Sequence, residues 1–435
     1  MKTYCYAPGH RLFICFSACL VLTLLLGACG GISLPGQSET PTPGRTNTPT
    51  TVTSVPMPPT QTDCPAGGSA RAAVMAPLAL GNHPTLIYSM NEYQNYQPTF
   101  GLLKRYDLTS RHTVEIIKSP GGITFAQVSA DGQWVLFAAS TPNTSGLTKL
   151  QLIRLDGQGL QTLFCSRDIA IQSLQWSPDQ KTVAFAISDN GQENLSLLTL
   201  STGQLRNALT APASDGFVVR SWLDTTHLFL TDIQHGIPSQ RLFLLDLNKG
   251  TGQHMSDLTV LVKQPFGDFD SDGTRLYVNY GLCGQGGCNP PGEITVQPVT
   301  GGTQTTIFKS HNYDTATVRA MTTHSVLVVI RNDRASNANA DMSHNGLWKM
   351  NSDGTGMTRL TTEATFQVSK LNETSQSSWS NVSRDAKLYV LQTLIYQGTV
   401  ETISLAYGSL GGGTPTTFAT ASHGSQLSIG GWTTG

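Results

Sequence analysis

Val128–Ser140 reads VSADGQWVLFAAS: an apolar strand end, an Asp-Gly turn, and a second strand of apolar and aromatic residues. An Asp-Gly pair between apolar runs marks a hairpin, because the turn needs positive φ at low steric cost. The phrase returns as LQWSPDQKTVAFAIS from Leu174 to Ser188, VRSWLDTTHLFLTD from Val219 to Asp232 and FDSDGTRLYVNY from Phe269 to Tyr280. Weaker copies are VRAMTTHSVLVVI from Val318 to Ile330 and SNVSRDAKLYVLQ from Ser380 to Gln392. A spacing of roughly 45 residues falls among the known periods of repeat architectures.

A closed array of such units can use most of a 435-residue chain as one domain. Charged residues are only 13% of the sequence, with 43 Gly, which suits short twisted strands joined by turns. The net charge of −1 carries no basic footprint, so a nucleic-acid partner is not expected.

Met1–Ala28 has the form of a secretory leader: Lys2, His10 and Arg11, an apolar run from Leu12 to Leu26, then small residues. Leu26-Gly27-Ala28-Cys29 resembles the bacterial lipoprotein box, which implies cleavage before Cys29 and acylation of its thiol. The expected location is then the outer face of a membrane, held by buried acyl chains. Residues 29–63 are rich in Pro, Thr and Ser and read as an extended stalk, which cannot bury enough apolar surface to fold.

From residue 64 to 435 the chain reads as repeats of four strands. In the second unit these are Phe125–Ala130, Trp134–Ala139, Lys149–Leu155 and Leu160–Phe164. This succession of strand, Asp-Gly turn and strand resembles the TolB-like, WD-repeat-like β-propeller family. The fold class expected is an all-β propeller of about seven four-stranded blades. The first unit lacks an inner strand, and the C-terminal SQLSIGGWTTG places Trp432 where Trp176 and Trp222 fall in their units. A C-terminal strand is therefore expected to complete the first blade and remove two open edges. The resemblance implies protein partners in the cell envelope.

Cys64, Cys165, Cys283 and Cys288 follow the lipobox, and an even set in an exported chain suggests disulfides. The pairing favoured is Cys283 with Cys288 across a glycine-rich loop, leaving Cys64 with Cys165. No histidine spacing suggests zinc. Asp268-Phe-Asp270-Ser-Asp272-Gly273 opens like a calcium loop but has Asn279 where a bidentate Glu is needed, so it reads as a structural turn. Neither G-x-S-x-G nor H-E-x-x-H occurs, and no catalytic residue, metal or cofactor is assigned.

The functional expectation rests on loop length. The connections Tyr280–Gly292 and Arg331–Gly346, with the link Thr362–Gln376, are long and should build a lip on one face. Its candidate partner contacts are Tyr280, Arg331, Asp333, Arg334, Asp341 and His344. Trp134, Trp176, Trp222, Trp379 and Trp432 recur at strand positions and read as packing residues. The reading is a monomeric, lipid-anchored propeller that binds an envelope protein. A carbohydrate-binding or polysaccharide-cleaving propeller, with a surface glycan as partner, is the alternative.

Overall fold

The computed structural model describes residues 63–66 and 83–433, except 96, 142–145, 168–170, 190, 213–215, 235–236, 282–291, 322, 333–340, 364–366, 372–379, 398–399 and 422–423. The leader, Cys29 and the stalk up to residue 62 lie outside this range, as do Cys283, Cys288, Asp333, Arg334 and Trp379.

The stretch WVLFAA shows why this sequence makes a propeller. Trp134, Leu136 and Ala138 are buried with blade 3 residues such as Phe185, while Val135, Phe137 and Ala139 are buried with blade 1 residues such as Ile87. Successive side chains of a strand point to opposite faces. A strand that is apolar at every position must therefore be covered on both faces, and here the covers are two different blades. The same division recurs around the ring, giving seven apolar clusters, one at each junction between neighbouring blades.

The chain forms a seven-bladed β-propeller of antiparallel sheets. The inner strands are Ser425–Trp432 in blade 1, Ile123–Val128 in blade 2, Ile171–Trp176 in blade 3, Phe217–Trp222 in blade 4, Asp268–Ser271 in blade 5, Asp314–Met321 in blade 6 and Gln367–Lys370 in blade 7. The C-terminal strand completes blade 1 by pairing with Thr85–Gln94, with Leu86 opposite Trp432. Blade 3 gains a short fifth strand, Gln253–His254, which runs parallel to Gln204–Pro212.

The Ser-x-Asp phrase before the turns of blades 2, 3 and 7 has a specific task. Ser129 Oγ accepts hydrogen bonds from the N–H groups of Gln133 and Trp134, and Asp131 Oδ1 accepts from Gln133. Ser177 with Asp179, and Ser383 with Asp385, repeat this cap. Gly132 takes φ 71° at the turn, but Gln180 at 59° and Ala386 at 54° occupy the equivalent place, so the side-chain cap holds the turn even where glycine is missing. SPDQ in blade 3 and SRDA in blade 7 thus close the turn as SADG does in blade 2, while in blade 4 Asp224 alone caps it, accepting from the N–H groups of Thr226 and His227.

Blade 7 departs from the expected layout. The link Thr362–Gln376 contains the inner strand itself: Gln367–Lys370 pairs with Gln392–Ile395, and Val382 rejoins the sheet opposite Tyr389. Four residues with a single apolar side chain, Val368, are too short to show a period, so the sequence pattern marks only the turn that follows.

The inner strand of each blade has one edge paired with its own sheet and the other turned to the axis. In blades 1 to 4 and 6, polar side chains of the preceding blade satisfy that free edge. Asn91 holds Ile123 N–H at 2.8 Å and Ile123 C=O at 2.9 Å, Gln127 accepts from Trp176 N–H at 2.8 Å, and Ser173 accepts from Val219 N–H at 3.0 Å. Asp268 and Asp270 accept from Val318 and Ala320 at 3.1 and 2.9 Å, and Gln392 donates to Leu427 C=O at 2.6 Å. Arg384 in blade 7 donates to the carbonyls of Ser129, Ala130 and Trp432, bridging three blades across the closure, and burial lowers its pKa to about 10.

Asn91→Ala should leave both backbone groups of Ile123 unsatisfied, lowering unfolding free energy in urea by about 3 kcal/mol. Exposed Thr109→Ala should change it by less than about 0.5 kcal/mol.

Candidate functional site

The inner strands of blades 2 to 6 end around the axis in a cavity of about 230 Å³. Its walls are the strand ends and the turns that follow them: Gln127–Ala130, Gln175–Pro178, Ser221–Leu223, Asp270–Gly273 and Ala320–Met321. One layer of this wall is Gln127, Gln175, Ser221, Asp270 and Ala320, each one residue before the last of its strand. Gln127 donates from Nε2 to Gln175 Oε1 at 2.9 Å, and Trp222 Nε1 donates to Gln175 C=O at 3.4 Å. Trp176 also lines the cavity and is only 8% exposed, yet its indole N–H meets no acceptor.

The three carboxylates of DFDSDG have three fates. Asp268 is buried between two guanidinium groups, Arg220 at 3.3 Å and Arg319 in closer contact. Asp270 is buried too, and its oxygens accept one N–H each, from Ser271 at 2.8 Å and Ala320 at 2.9 Å. Burial pushes its pKa up to about 7, against the opposing pull of Arg319 and these hydrogen bonds. Asp272 holds the turn, accepting from Thr274 N–H, Thr274 Oγ1, Arg275 N–H and Tyr277 OH. Burial acts to raise its pKa, but these bonds outweigh it and the net shift is downward. The calcium-like spelling is thus divided among protein donors, and no group of three metal-ligating side chains occurs among the described residues.

The lip lies at the other end of the blades. In blade 6 Met321, at the cavity, pairs with Ser325, whereas Asp314 pairs with Arg331, where the lip begins. The described lip residues are held by Asn345, whose side chain accepts from the N–H and donates to the C=O of Asn332, and by Asn332, whose side-chain amide donates to the carbonyls of Asn312 and Asp341. His344 stacks on Tyr313 with centroids 4.2 Å apart and faces Trp348 at 6.1 Å, and Arg359 lies 5.6 Å over the Trp348 ring. Asp341 lies 3.9 Å from His344, so these two predicted contacts are brought together. Arg331 acts on Glu363, whose pKa burial raises to about 7 while the Ser369 N–H and Arg331 oppose it. Tyr280 bonds through its hydroxyl to Gln304 within blade 5.

Cys64 is paired with Cys165, on the outer strand of blade 2. Of the tryptophans, Trp134 and Trp432 are fully buried between blades, whereas Trp176 and Trp222 also form cavity wall. The reading of the sequence missed the cavity layer. Its signal was the recurrence of a polar residue in FAQVS, SLQWS, VRSWL and FDSDG, where an apolar residue is expected in a buried strand.

No protein-family model matches the chain, and no curated protein sequence matches it. Solved structures do. TolB from Acinetobacter baumannii is 15% identical, with a TM-score of 0.41, over 64% of this chain and 63% of that one, so the chain spans less than two thirds of that protein. The β-propeller domain of the Trilobed protease from Pyrococcus furiosus, described as having an open velcro topology, is 8% identical with a TM-score of 0.50, covering 78% and 92%. Prolyl oligopeptidase B from Galerina marginata is 10% identical with a TM-score of 0.51, covering 78% and 51%. At these identities the likeness establishes the fold class, a β-propeller, and no activity.

Asp270 has a testable consequence for stability. Its folded pKa, about 7, lies above the ordinary value of 3.8, so between those values the folded state holds a proton that the unfolded state has lost. Its contribution is fully present below pH 3.8 and is lost as pH rises through 7. Thermal melts of the wild type should therefore fall in Tm from pH 5 to pH 8, and Asp270→Asn should flatten that slope, with Glu363 supplying the remainder.

Proposed function

We propose that this chain is an exported, lipid-tethered binding module that takes a segment of an envelope protein into the mouth of its central channel. The observation that carries this reading is the cavity itself: five blades converge on one concave site that mixes indole, aliphatic and hydroxyl groups with a single buried carboxyl of raised pKa. Concave, largely apolar sites with few convergent polar groups are where proteins take ligands. The leader and Leu26-Gly27-Ala28-Cys29 support tethering at Cys29. The described lip residues Arg331, Asp341 and His344 form a second candidate contact face on the opposite side, and Asp333 and Arg334 of the same connection are candidates from the sequence alone.

Polysaccharide cleavage has one observation in its favour. Asp270 and Asp272 both line the cavity with acidities pushed in opposite directions, the pattern of an acid and base pair. Asp272, however, spends both oxygens on the turn, so a catalytic role would require breaking the turn that forms the wall.

The test is capture of envelope proteins from detergent extracts by the mature chain and two variants. Ala130→Trp narrows the mouth at a residue whose fixed contact is through its backbone carbonyl. It should reduce capture of the partner at least tenfold, whereas replacing 333–340 with a Gly-Ser linker should reduce it less. Equal capture by Ala130→Trp and wild type would move the binding site to the lip, and turnover of a glycan by the wild type would replace the reading with catalysis.

A further inference from the structure

We propose that the Cys64–Cys165 disulfide is a mechanical strap: it diverts a pull on the stalk away from the seam that closes the ring and delivers it to the far end of the neighbouring blade. This rests on the tethered reading above only for where the pull comes from.

The seam is weak in one direction. The C-terminal strand Ser425–Trp432 pairs antiparallel with Thr85–Gln94, from Leu86 opposite Trp432 to Glu92 opposite Ser425. Thr85 and Thr433 stand side by side at one end of this pair. There Thr433 N–H donates to Thr85 C=O at 3.0 Å, Thr85 N–H donates to Thr433 Oγ1 at 3.2 Å, and the two hydroxyls meet at 2.9 Å. This is the mouth end, because Arg384 grips the Trp432 carbonyl together with those of Ser129 and Ala130 on the cavity rim. The hydrogen bonds of an antiparallel ladder run across its strands. A pull that draws Thr85 away from Thr433 therefore loads them one after another, and the seam unzips from the mouth. Without the disulfide the stalk would pull at that point, since Thr85 begins the N-terminal strand of blade 1.

Cys165 lies at the opposite end of the blades. It is on the outer strand of blade 2, paired with Lys149, and the adjoining Ser166 pairs with Thr148, as does Ser140. Ser140 ends the strand that leaves the mouth turn at Trp134, so this edge is on the lip side. With Cys64 bonded to Cys165, residues 64–165 form a closed loop, and a pull on the stalk enters blade 2 at its lip edge. Thr85 lies inside the loop and carries none of it. Tension between that lip edge and the mouth end of the seam then runs along Ser425–Trp432 rather than across it, and the hydrogen bonds of the strand share the load.

The experiment is single-molecule force spectroscopy on residues 30–435 in oxidised form, with one handle at the N-terminus and the other at Gly435. The first rupture should require about twofold or more the force needed by the Cys64→Ser, Cys165→Ser double variant, forced opening being governed by the unfolding rate. Closing a loop of this length also stabilises the folded chain as a whole, so a third arm separates geometry from stability. In it the disulfide is intact, but the first handle is clicked onto an azide-bearing residue at position 83, beyond the strap. Its first rupture should fall to the low force of the double variant. The two disulfide-bonded arms decide the matter even if the double variant fails to fold. Equal forces from the N-terminus and from position 83, or a double variant as strong as the oxidised chain, overturn the proposal. None of these forces depends on acylation of Cys29 or on a bound partner. Their failure therefore removes the strap and leaves the channel-mouth reading to its capture test, while failed capture leaves the strap standing.

Discussion

Each inner strand of this propeller must satisfy an edge that no strand pairs with. In an open sheet such an edge meets water or recruits another chain. Around a narrow axis it meets other inner strands, and an unmade backbone hydrogen bond there costs about 1–3 kcal/mol. The solution is sequential, with a polar side chain of one blade serving the backbone of the next: Asn91 to blade 2, Gln127 to blade 3, Ser173 to blade 4, Asp268 and Asp270 to blade 6, and Gln392 to blade 1. Because each junction presents a different donor or acceptor, the repeats diverge in sequence at these positions while agreeing in the turns.

That division decides what could be read without coordinates. The turns are local: Ser129, Asp131 and Gly132 act on residues no more than five positions away, so their chemistry is visible in a short window. The doubly covered strands are legible for the same reason, since an unbroken apolar run such as Trp134–Ala139 has few other uses. The closure of blade 1 followed from counting strands and from the shared place of Trp432, Trp176 and Trp222. The cavity was not legible, because Gln127, Gln175, Ser221 and Asp270 are brought together only by the rotation from blade to blade. The inner strand of blade 7 was missed because Gln367–Lys370 is short and is separated from its turn.

Asp268 and Asp270 illustrate how position along the axis assigns a role. Being two residues apart on one strand, they face the same side. Asp268 sits deeper, where Arg220 from the preceding blade and Arg319 from the next close on it. A buried ion cluster of this kind returns little net stability after desolvation, and its effect is to tie the inner strands of blades 4, 5 and 6 together. Asp270, nearer the turn, is served by backbone N–H groups, so burial dominates and its proton is retained near neutrality. One strand thereby carries a structural acid and a responsive one.

Ring closure and the geometry of the channel mouth are mechanically the same property. The cavity wall comes from blades 2 to 6, but its rim at Ser129 and Ala130 is held by Arg384 of blade 7, which also grips Trp432 of the closing strand. The guanidinium thus ties the last strand of the chain to the wall of the site. A propeller that lost this tie would have two loose edges and a rim free to move away from Trp176 and Gln175. The spacing of the cavity walls depends on seven apolar junctions being closed at once. This is why residues far from the axis, such as Leu86 opposite Trp432, belong to the same physical argument as the cavity.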